Sequence, residues 1–534
     1  MSISGGRLAA ELCCALINEH FGSTVMQVAE VLIKEPGPLP AIGCRLRGKV
    51  SLHNIKKAIV VLEQFQIVNF KLDSSMRVQY SIDFDQILGF VKSPRCAYIM
   101  KTLYGSAAET IFLEIFAKGR LTCSETLRRV TETADFSEGN LTIDQCKEIF
   151  CRLSETQFIK RCPPIKTNLR GCPLFETSYD PFIMPDKIFE INPSGAVKTT
   201  RESLKRKHGP DHDEDVYWCI NWTRFDRYVR DFMVLELVMP NSEILQEKSE
   251  QLCKDTFFAL LKANETRSSS IKAANSAHVS VFDILRYAKE NNLSLDKNGV
   301  DWALKSLVEE SSGVLRKVGD SSGGLFVTDF ERAITLLCQN HIESLIREQL
   351  DTKAVRIFRL LQNKGHLEEE HIEKLTMMSS KETRELLYAL QEEGYIFTRP
   401  FGKTNDFAPA RTLYLYYVNL KQTVQLLVEY TCKTLRNLML RRQHEYKENK
   451  SLSDKQLTIR SISEEIRADP NKDELTKQQE ISEVQETYMP PADKLKFDQF
   501  LKSRLLLESA ECEVEKVLLT FRIFLDLDSR RVAS

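Results

Sequence analysis

Two histidines, His366 and His371, and four cysteines, Cys146, Cys151, Cys162 and Cys172, are the groupings whose residue types could bind a metal or attack a substrate. Their spacing argues against both roles. The histidines stand five apart on a glutamate-rich helical stretch, whereas two ligands on one helix face need a step of four. The cysteine intervals fit no zinc or redox framework, and no C-x-x-C pair occurs in the chain. Walker, G-x-S-x-G, H-E-x-x-H and G-x-G-x-x-G signatures are absent from the sequence. The 14 cysteines lie mostly in apolar helical patterns, as at Cys13, Cys14, Cys338 and Cys432, and read as reduced thiols of a reducing compartment. No catalytic residue, metal ligand or cofactor is therefore expected. The remaining chemistry is electrostatic: lysines and arginines placed to hold phosphates.

Where those cations fall depends on a repeated phrase. The chain writes "LEQFQIV" at Leu62, "LSETQFI" at Leu153 and "LQEEGYI" at Leu390, with a looser copy, "LVEESSGVL", at Leu307. Each copy follows an amphipathic stretch and precedes a change to period-two alternation. In the first, "RLAAELCCALINEHF" and "STVMQVAEVLI" are helices, the second with Ser23 as N-cap. The Pro- and Gly-rich "KEPGPLPAIGCRLRGK" reads as a loop. Ser51 then opens a third helix, "SLHNIKKAIVVLEQF", and "IVNFKL" with "RVQYSI" makes a hairpin. Three helices and a hairpin form a winged helix, and each phrase marks its helix-to-wing corner. Thr142 with Gln145, and Ser379 with Glu382, offer capping boxes in the second and fourth copies. In the third, "SSGG" near Ser321 is the wing turn.

The fold expected is mainly α with small β wings: four tandem, extended winged helices followed by an antiparallel coiled coil. The boundaries are 1–83, 84–192, a linker at 193–215, a helical lead-in plus third winged helix at 216–345, 346–420, and the coil at 421–534. The linker lacks aromatics and alternates charge blocks, so it reads as disordered. Its basic half, Lys198, Arg201, Lys205, Arg206 and Lys207, could contact phosphate or direct nuclear import, against the plainer reading of a solvated charge run. Ser194 and Ser203 are candidate phosphorylation sites there. In the coil, Val424, Leu427, Leu435 and Leu438 form one stripe. Phe500, Leu507, Val514, Leu518 and Phe521 form the other, around a polar insertion at about 449–490.

In a winged helix the third helix enters a major groove and the wing meets phosphates. The third-helix candidates are Lys56, Lys57, Lys147, Arg152, Lys305, Lys381 and Arg384. Loop and wing candidates are Arg45, Arg47, Lys49, Lys71, Arg77, Lys160, Arg161, Arg316, Lys317, Arg399 and Lys403. No third helix carries a set of Arg, Asn and Gln suited to base edges, so contact would be to phosphate, nonspecific and salt-sensitive. With 74 basic against 75 acidic residues the chain is not a dedicated nucleic-acid binder, and contact must come from local patches. No apolar run reaches the length of a membrane span, and the N-terminal residues do not read as a signal peptide. A protein-binding scaffold of the cullin or PCI type is the alternative, although such chains usually carry one winged helix after a helical array.

Three stretches also carry a resemblance. "LYGSAAETIFLEIFAKGRLT" (103–122), "VYWCINWTRFDRYVRD" (216–231) and "ARTLYLYYVNLKQTVQLLVEYTCKTLRNLMLRRQHE" (410–445) are similar to the large peripheral winged-helix subunit of RNA polymerase III in its animal form. The resemblance spans nearly the whole chain. It implies a nuclear, non-catalytic subunit near the polymerase clamp, related to TFIIE-alpha. Its expected partners are a smaller winged-helix subunit and an acidic-tailed one in a heterotrimer, TFIIIB, and double-stranded and melted DNA. Promoter-directed initiation is the implied role.

Overall fold

A computed structural model describes residues 6–72, 77–134, 143–167, 173–175, 180–184, 216–239, 247–265, 267, 270–291, 293, 295–402, 412–468 and 474–533. The chain is mainly helical, with small antiparallel sheets. Its first unit runs α1 (Arg7–Phe21), α2 (Ser23–Lys34), α3 (Leu39–Arg45), α4 (Leu52–Gln64) and the hairpin β1 (Val68–Leu72) and β2 (Val78–Ile82). Two local expectations change here. Ser23 is the first helical residue and Gly22, at φ +84°, takes the cap position, where a residue with a Cβ would be strained. The stretch expected as loop contains α3, which begins after Pro38 and has Pro40 in its first turn; the fixed proline φ suits that position.

The second unit holds α5 (Phe84–Tyr104), α6 (Ser106–Lys118), β3 (Leu121–Thr122), α7 (Cys123–Ala134), α8 (Ile143–Glu155) and β4 (Ile159–Arg161). A small hairpin, β5 (Ile165–Thr167) with β6 (Pro173–Phe175), follows. The unit does not end before the linker. Its sheet has the order β3-β7-β4, and the central strand β7 (Tyr217–Ile220) arrives only after residue 215. The expected start of a new domain at 216 is thereby corrected. Trp218, Cys219 and Ile220 are buried, and they fill a sheet that β3 and β4 leave open.

The third unit comprises α9 (Trp222–Val238), α10 (Glu247–Glu265), β8 (Val279–Ser280), α11 (Val281–Glu290), α12 (Lys297–Glu310), β9 (Leu315–Gly319) and β10 (Leu325–Thr328), with sheet order β8-β10-β9. A 3-10 turn at Ser321–Gly323 joins β9 to β10, where the wing turn was expected. Ser280 and Asp283 form a reciprocal capping box at α11. The fourth unit follows α13 (Phe330–Gln349) with α14 (Thr352–Lys364), β11 (Leu367–Glu368), α15 (Glu369–Thr376), α16 (Ser380–Glu392), β12 (Phe397–Gly402) and β13 (Thr412–Tyr417), in order β11-β13-β12. Ser379 caps α16, its Oγ accepting from the Glu382 amide at 3.4 Å. Thr142 lies outside the described residues.

The repeated phrase has a backbone cause. Four residues after the leucine, Gln66, Gln157 and Gly394 all take positive φ, at 58°, 68° and 76°. In the looser copy Ser312 and Gly313 do so, at 52° and 84°. A left-handed residue turns the helix end sharply into the first strand. The apolar pair that follows, such as Ile67 and Val68 or Tyr395 and Ile396, then drops into the core.

The C-terminal region differs from a simple hairpin of two coils. The long helices are α17 (Leu420–Glu448) and α20 (Pro491–Ala533). Lys421 pairs with Asp528 at 2.7 Å and Arg442 with Glu511 at 2.8 Å, so they run antiparallel. The polar insertion is itself helical, as α18 (Lys450–Ala468) and α19 (Glu474–Tyr488), which pack on one another. Val424, Leu427, Leu435, Phe500, Leu518 and Phe521 are buried. Leu438, Leu507 and Val514 are only partly so; beside Leu438 and Val514 the buried residues are Met439 and Glu515. A strict seven-residue reading drifts from a 3.6-residue helix, which accounts for the shift. α20 also packs against α5, α9 and α13, and α17 against α1. The pair is a spine on which the units are mounted.

Candidate nucleic-acid interface

In α4 the sequence separates two faces cleanly. Ile55, Ala58, Ile59 and Leu62 are buried, and Ser51 caps the helix by accepting from the Asn54 amide at 3.3 Å. That orientation turns Lys56 and Lys57 to the outside. The α3–α4 loop, bent at Gly48 (φ +87°), exposes Arg47 and Lys49. On the wing, Lys71 stands opposite Gln79, and Arg77 leads into β2; both are exposed. None of these six cations is ion-paired among the described residues. Arg45 is: its guanidinium is engaged by Glu35 of the same unit.

The candidates on the other units are mostly committed internally. Lys147 is 3.3 Å from Asp144, and Arg152 lies over the Tyr104 ring at 5.5 Å. Lys160 and Arg161 sit half-buried in β4, where the Arg161 amide donates to the Pro181 carbonyl at 2.8 Å. Arg316 pairs with Asp329 at 2.7 Å. Lys317 pairs with Asp320 and holds that carboxylate below its usual range. Arg384 meets Glu369 at 2.8 Å, and the bond raises the already high arginine pKa. Lys381 has Glu385 at 4.0 Å. Lys305 and Arg399 are exposed but isolated from a basic cluster. Lys403, the linker residues Lys198, Arg201, Lys205, Arg206 and Lys207, and the serines Ser194 and Ser203 lie outside the described residues.

Local charge density separates the units. Between Arg45 and Gln79 there are seven basic residues and two acidic ones. The corresponding third-helix-and-wing segments carry four and four in the third unit (297–328) and five and five in the fourth (380–418). A polyanion would find one unit attractive and two nearly neutral.

Sequence reasoning missed the buried charges. Arg224, Arg227 and Arg230 on α9 are all interior. Arg224 covers the Phe158 ring at 4.3 Å and pairs with Glu265; Arg230 lies 3.7 Å over Phe330 and pairs with Asp231 at 2.7 Å. A second network joins α5, α9 and α20: Lys92 to Asp226 at 2.6 Å and Arg95 to Glu515 at 2.5 Å. Arg442 ties α17 to α1 through Glu19 at 3.0 Å, and the Leu8 amide donates to Glu429 at 2.9 Å. These pairs fix how the first unit sits on the spine. The one available signal was arginine recurring at three-residue steps among aromatics in "WTRFDRYVRDF".

No cluster of three or more metal-type ligands occurs among the described residues, and no described helix is long and apolar enough to cross a membrane. Cys162 does not join Cys146 and Cys151; Cys172 lies outside the described residues.

Comparison with known families gives three matches along the chain. Residues 11–73 match the RNA polymerase III subunit RPC82 helix-turn-helix domain, residues 173–337 match RNA polymerase III subunit RPC82, and residues 342–418 match the POLR3C C-terminal winged-helix domain. Among full-length relatives, the zebrafish (Danio rerio) DNA-directed RNA polymerase III subunit RPC3 is 32% identical over 484 residues, covering 86% of this chain and 88% of its own. The mouse (Mus musculus) and human (Homo sapiens) RPC3 subunits are 27% and 26% identical, each over 98% of this chain and 99% of theirs. Winged-helix and helix-turn-helix matches thus coincide with the first and fourth helix–hairpin units, and the relatives run almost from end to end. The chain belongs to the family of RNA polymerase III subunit RPC3.

Proposed function

We propose that this chain is a non-catalytic subunit of RNA polymerase III, built as four tandem winged helices on an antiparallel helical spine, and that its first winged helix holds DNA by the phosphates. The observation that carries the reading is the cluster of six exposed, uncommitted cations on α4, its preceding loop and its wing. With no base-reading set on α4, the contact is sequence-independent and suits DNA whose sequence varies from gene to gene. The remaining units, near neutral in balance and with most of their candidate cations engaged internally, serve as protein-docking modules. Their partners are the polymerase core near the clamp, a smaller winged-helix subunit, an acidic-tailed subunit and TFIIIB. In that setting the first unit steadies promoter DNA while it opens and is held melted. The site of action is the nucleus, and the basic half of the linker supports import. Ser194 and Ser203 in the linker are available for modification by composition alone.

Binding of the full-length chain to a labelled duplex, followed by fluorescence anisotropy across a salt series, tests the assignment. Six phosphate contacts give a log–log slope of about −5 and a loss of roughly 10³-fold between 50 and 200 mM salt. The double charge reversal Lys56→Glu with Lys57→Glu should flatten that slope by about 2 or more. The matched reversal Lys381→Glu on the fourth unit should leave it unchanged. Equal losses from both would remove the assignment to the first unit.

A further inference from the structure

Two thiols that lie 57 positions apart in the sequence meet where the first and second units join. Cys162 follows β4 and Cys219 lies on β7. The register puts Lys160 opposite Cys219, so Cys162 stands two residues along on the same face of the sheet. Gln66, the left-handed corner residue of the first unit, donates through Nε2 toward both sulfurs, at 3.4 Å to Cys162 and 3.1 Å to Cys219. The Cys219 thiol in turn donates to the Lys160 carbonyl at 3.5 Å, across the strand pair from which Cys162 follows.

Their environments diverge in the way a reactive pair requires. The hydrogen bond from Cys162 draws the Cys219 thiol below the ordinary thiol range against the effect of burial, with the charges of Lys160 and Arg120 acting in the same direction. Its contact with Cys219 and its burial push the Cys162 thiol up. Cys219 lines the small cavity beside the pair and takes the shorter bond from Gln66, whereas Cys162 does not line it, so Cys219 is the sulfur a small oxidant meets first and Cys162 its resolving partner. A cavity of about 20 Å³ lies beside Cys219, lined by Gln66, Gln86, Gly119 and Trp222. That is room for one water-sized molecule.

We propose that Cys162 and Cys219 form an oxidation site, in which hydrogen peroxide, the smallest hydroperoxide, reaches Cys219 through this cavity and converts the pair to a disulfide. Cys219, deprotonated as it reacts, attacks a peroxide oxygen, the O–O bond breaks, and the departing oxygen leaves as water. Cys162 then attacks the resulting sulfenic sulfur and expels water. The two thiols lose two electrons and two protons in total, and the peroxide is reduced by the same two electrons. The product ties β7, which returns from beyond the linker, covalently to β4. It also changes both sulfurs that Gln66 contacts, so the joint between the first and second units is altered at its polar centre.

The test treats the full-length protein with graded hydrogen peroxide, blocks residual thiols under denaturing conditions, and maps peptides by mass spectrometry. The expected result is a single cross-linked peptide pair joining Cys162 and Cys219, two hydrogens lighter than the free peptides and reversed by dithiothreitol. The exposed Cys44 reports the oxidant dose that reaches an ordinary surface thiol. In Cys162→Ser the expected product is a dimedone-trapped sulfenic acid at Cys219; in Cys219→Ser no such adduct forms at Cys162. The proposal is overturned if, after native protein is treated at doses that consume Cys44 and then denatured, both cysteines are still alkylated. Oxidation of either residue without the cross-link overturns it equally. The wild-type cross-link decides the matter even where a serine variant fails to fold.

Discussion

Glu515 offers the sharpest perturbation of the spine. Its carboxylate is 2.5 Å from Arg95, with the two side chains 4% and 13% exposed. The same region holds Lys92 and Asp226, so two cations face two anions in the interior. Replacing Glu515 by Leu leaves Arg95 and Lys92 with Asp226 alone, a net buried charge of one. Breaking a buried pair from one side costs about 3–5 kcal/mol, because the remaining charge keeps its desolvation penalty. The double replacement Arg95→Met with Glu515→Leu removes both charges and keeps the volume, and should recover most of that loss. Guanidinium denaturation of the full-length protein, followed by tryptophan fluorescence, is the assay, since Trp218 and Trp222 lie in the second and third units that α20 supports. A large midpoint drop for the single variant, restored in the double, is the expected pattern. If Glu515→Leu alone is neutral, the network is not part of what holds the units to the spine. If the double variant is worse than the single, hydrogen bonding rather than charge balance governs it.

Further expectations follow from close contacts and titration. A Cβ at Gly89 would meet Trp222 Cε2 at 2.5 Å, so Gly89→Ala should overpack the α5–α9 contact and cost about 1–3 kcal/mol. At Gly43, inside α3, the nearest atom to a new Cβ is Leu52 Cδ1 at 3.6 Å, and Gly43→Ala should stabilise by about 0.5–1 kcal/mol in the same unfolding assay. Gly394 combines φ +76° with a Leu426 contact at 2.7 Å, so Gly394→Ala should destabilise the corner of the fourth unit, read as faster amide exchange at Tyr395 and Ile396. Asp283 is held down at about 2, first by its bond to Arg267 and also by the Ser280 cap. Its folded value lies below the unfolded 3.8, so its contribution is present above that pH and is lost as pH falls toward 2. Arg267→Met should shrink this acid-side loss in a pH series of melting curves, and an unchanged acid limb would show that the pair does not matter to stability.

How legible these features were in sequence depends on how local their causes are. The corner phrase could be read because one left-handed residue and two buried apolar residues must recur wherever a helix end feeds a wing. The α4 cations were legible for the same reason: Ile55, Ile59 and Leu62 fix the buried face, and the rest must point out. The strand β7 was not, because its pairing partners β3 and β4 lie on the far side of a long polar segment and alternation alone does not say which sheet a strand joins. α18 does place Leu452 and Ile459 on a buried face, but α19 carries only Leu475, Ile481, Val484 and Tyr488 among polar residues, so the stretch as a whole looked like an insertion. The arginines of α9 misled in the opposite direction. Charge suggests solvent, yet Phe158, Phe330, Glu265 and Asp231 provide buried partners that only the assembled units bring together.

The most direct measurement is a quantitative affinity purification of the tagged chain from nuclear extract, comparing the wild type with the Lys56→Glu, Lys57→Glu variant and measuring both RNA polymerase III subunits and retained promoter DNA. The account expects both proteins to bring down the polymerase subunits in equal, stoichiometric amounts, with DNA retention reduced in the variant alone. Recovery of no polymerase subunit with the wild type, or full DNA retention by the variant, would contradict it.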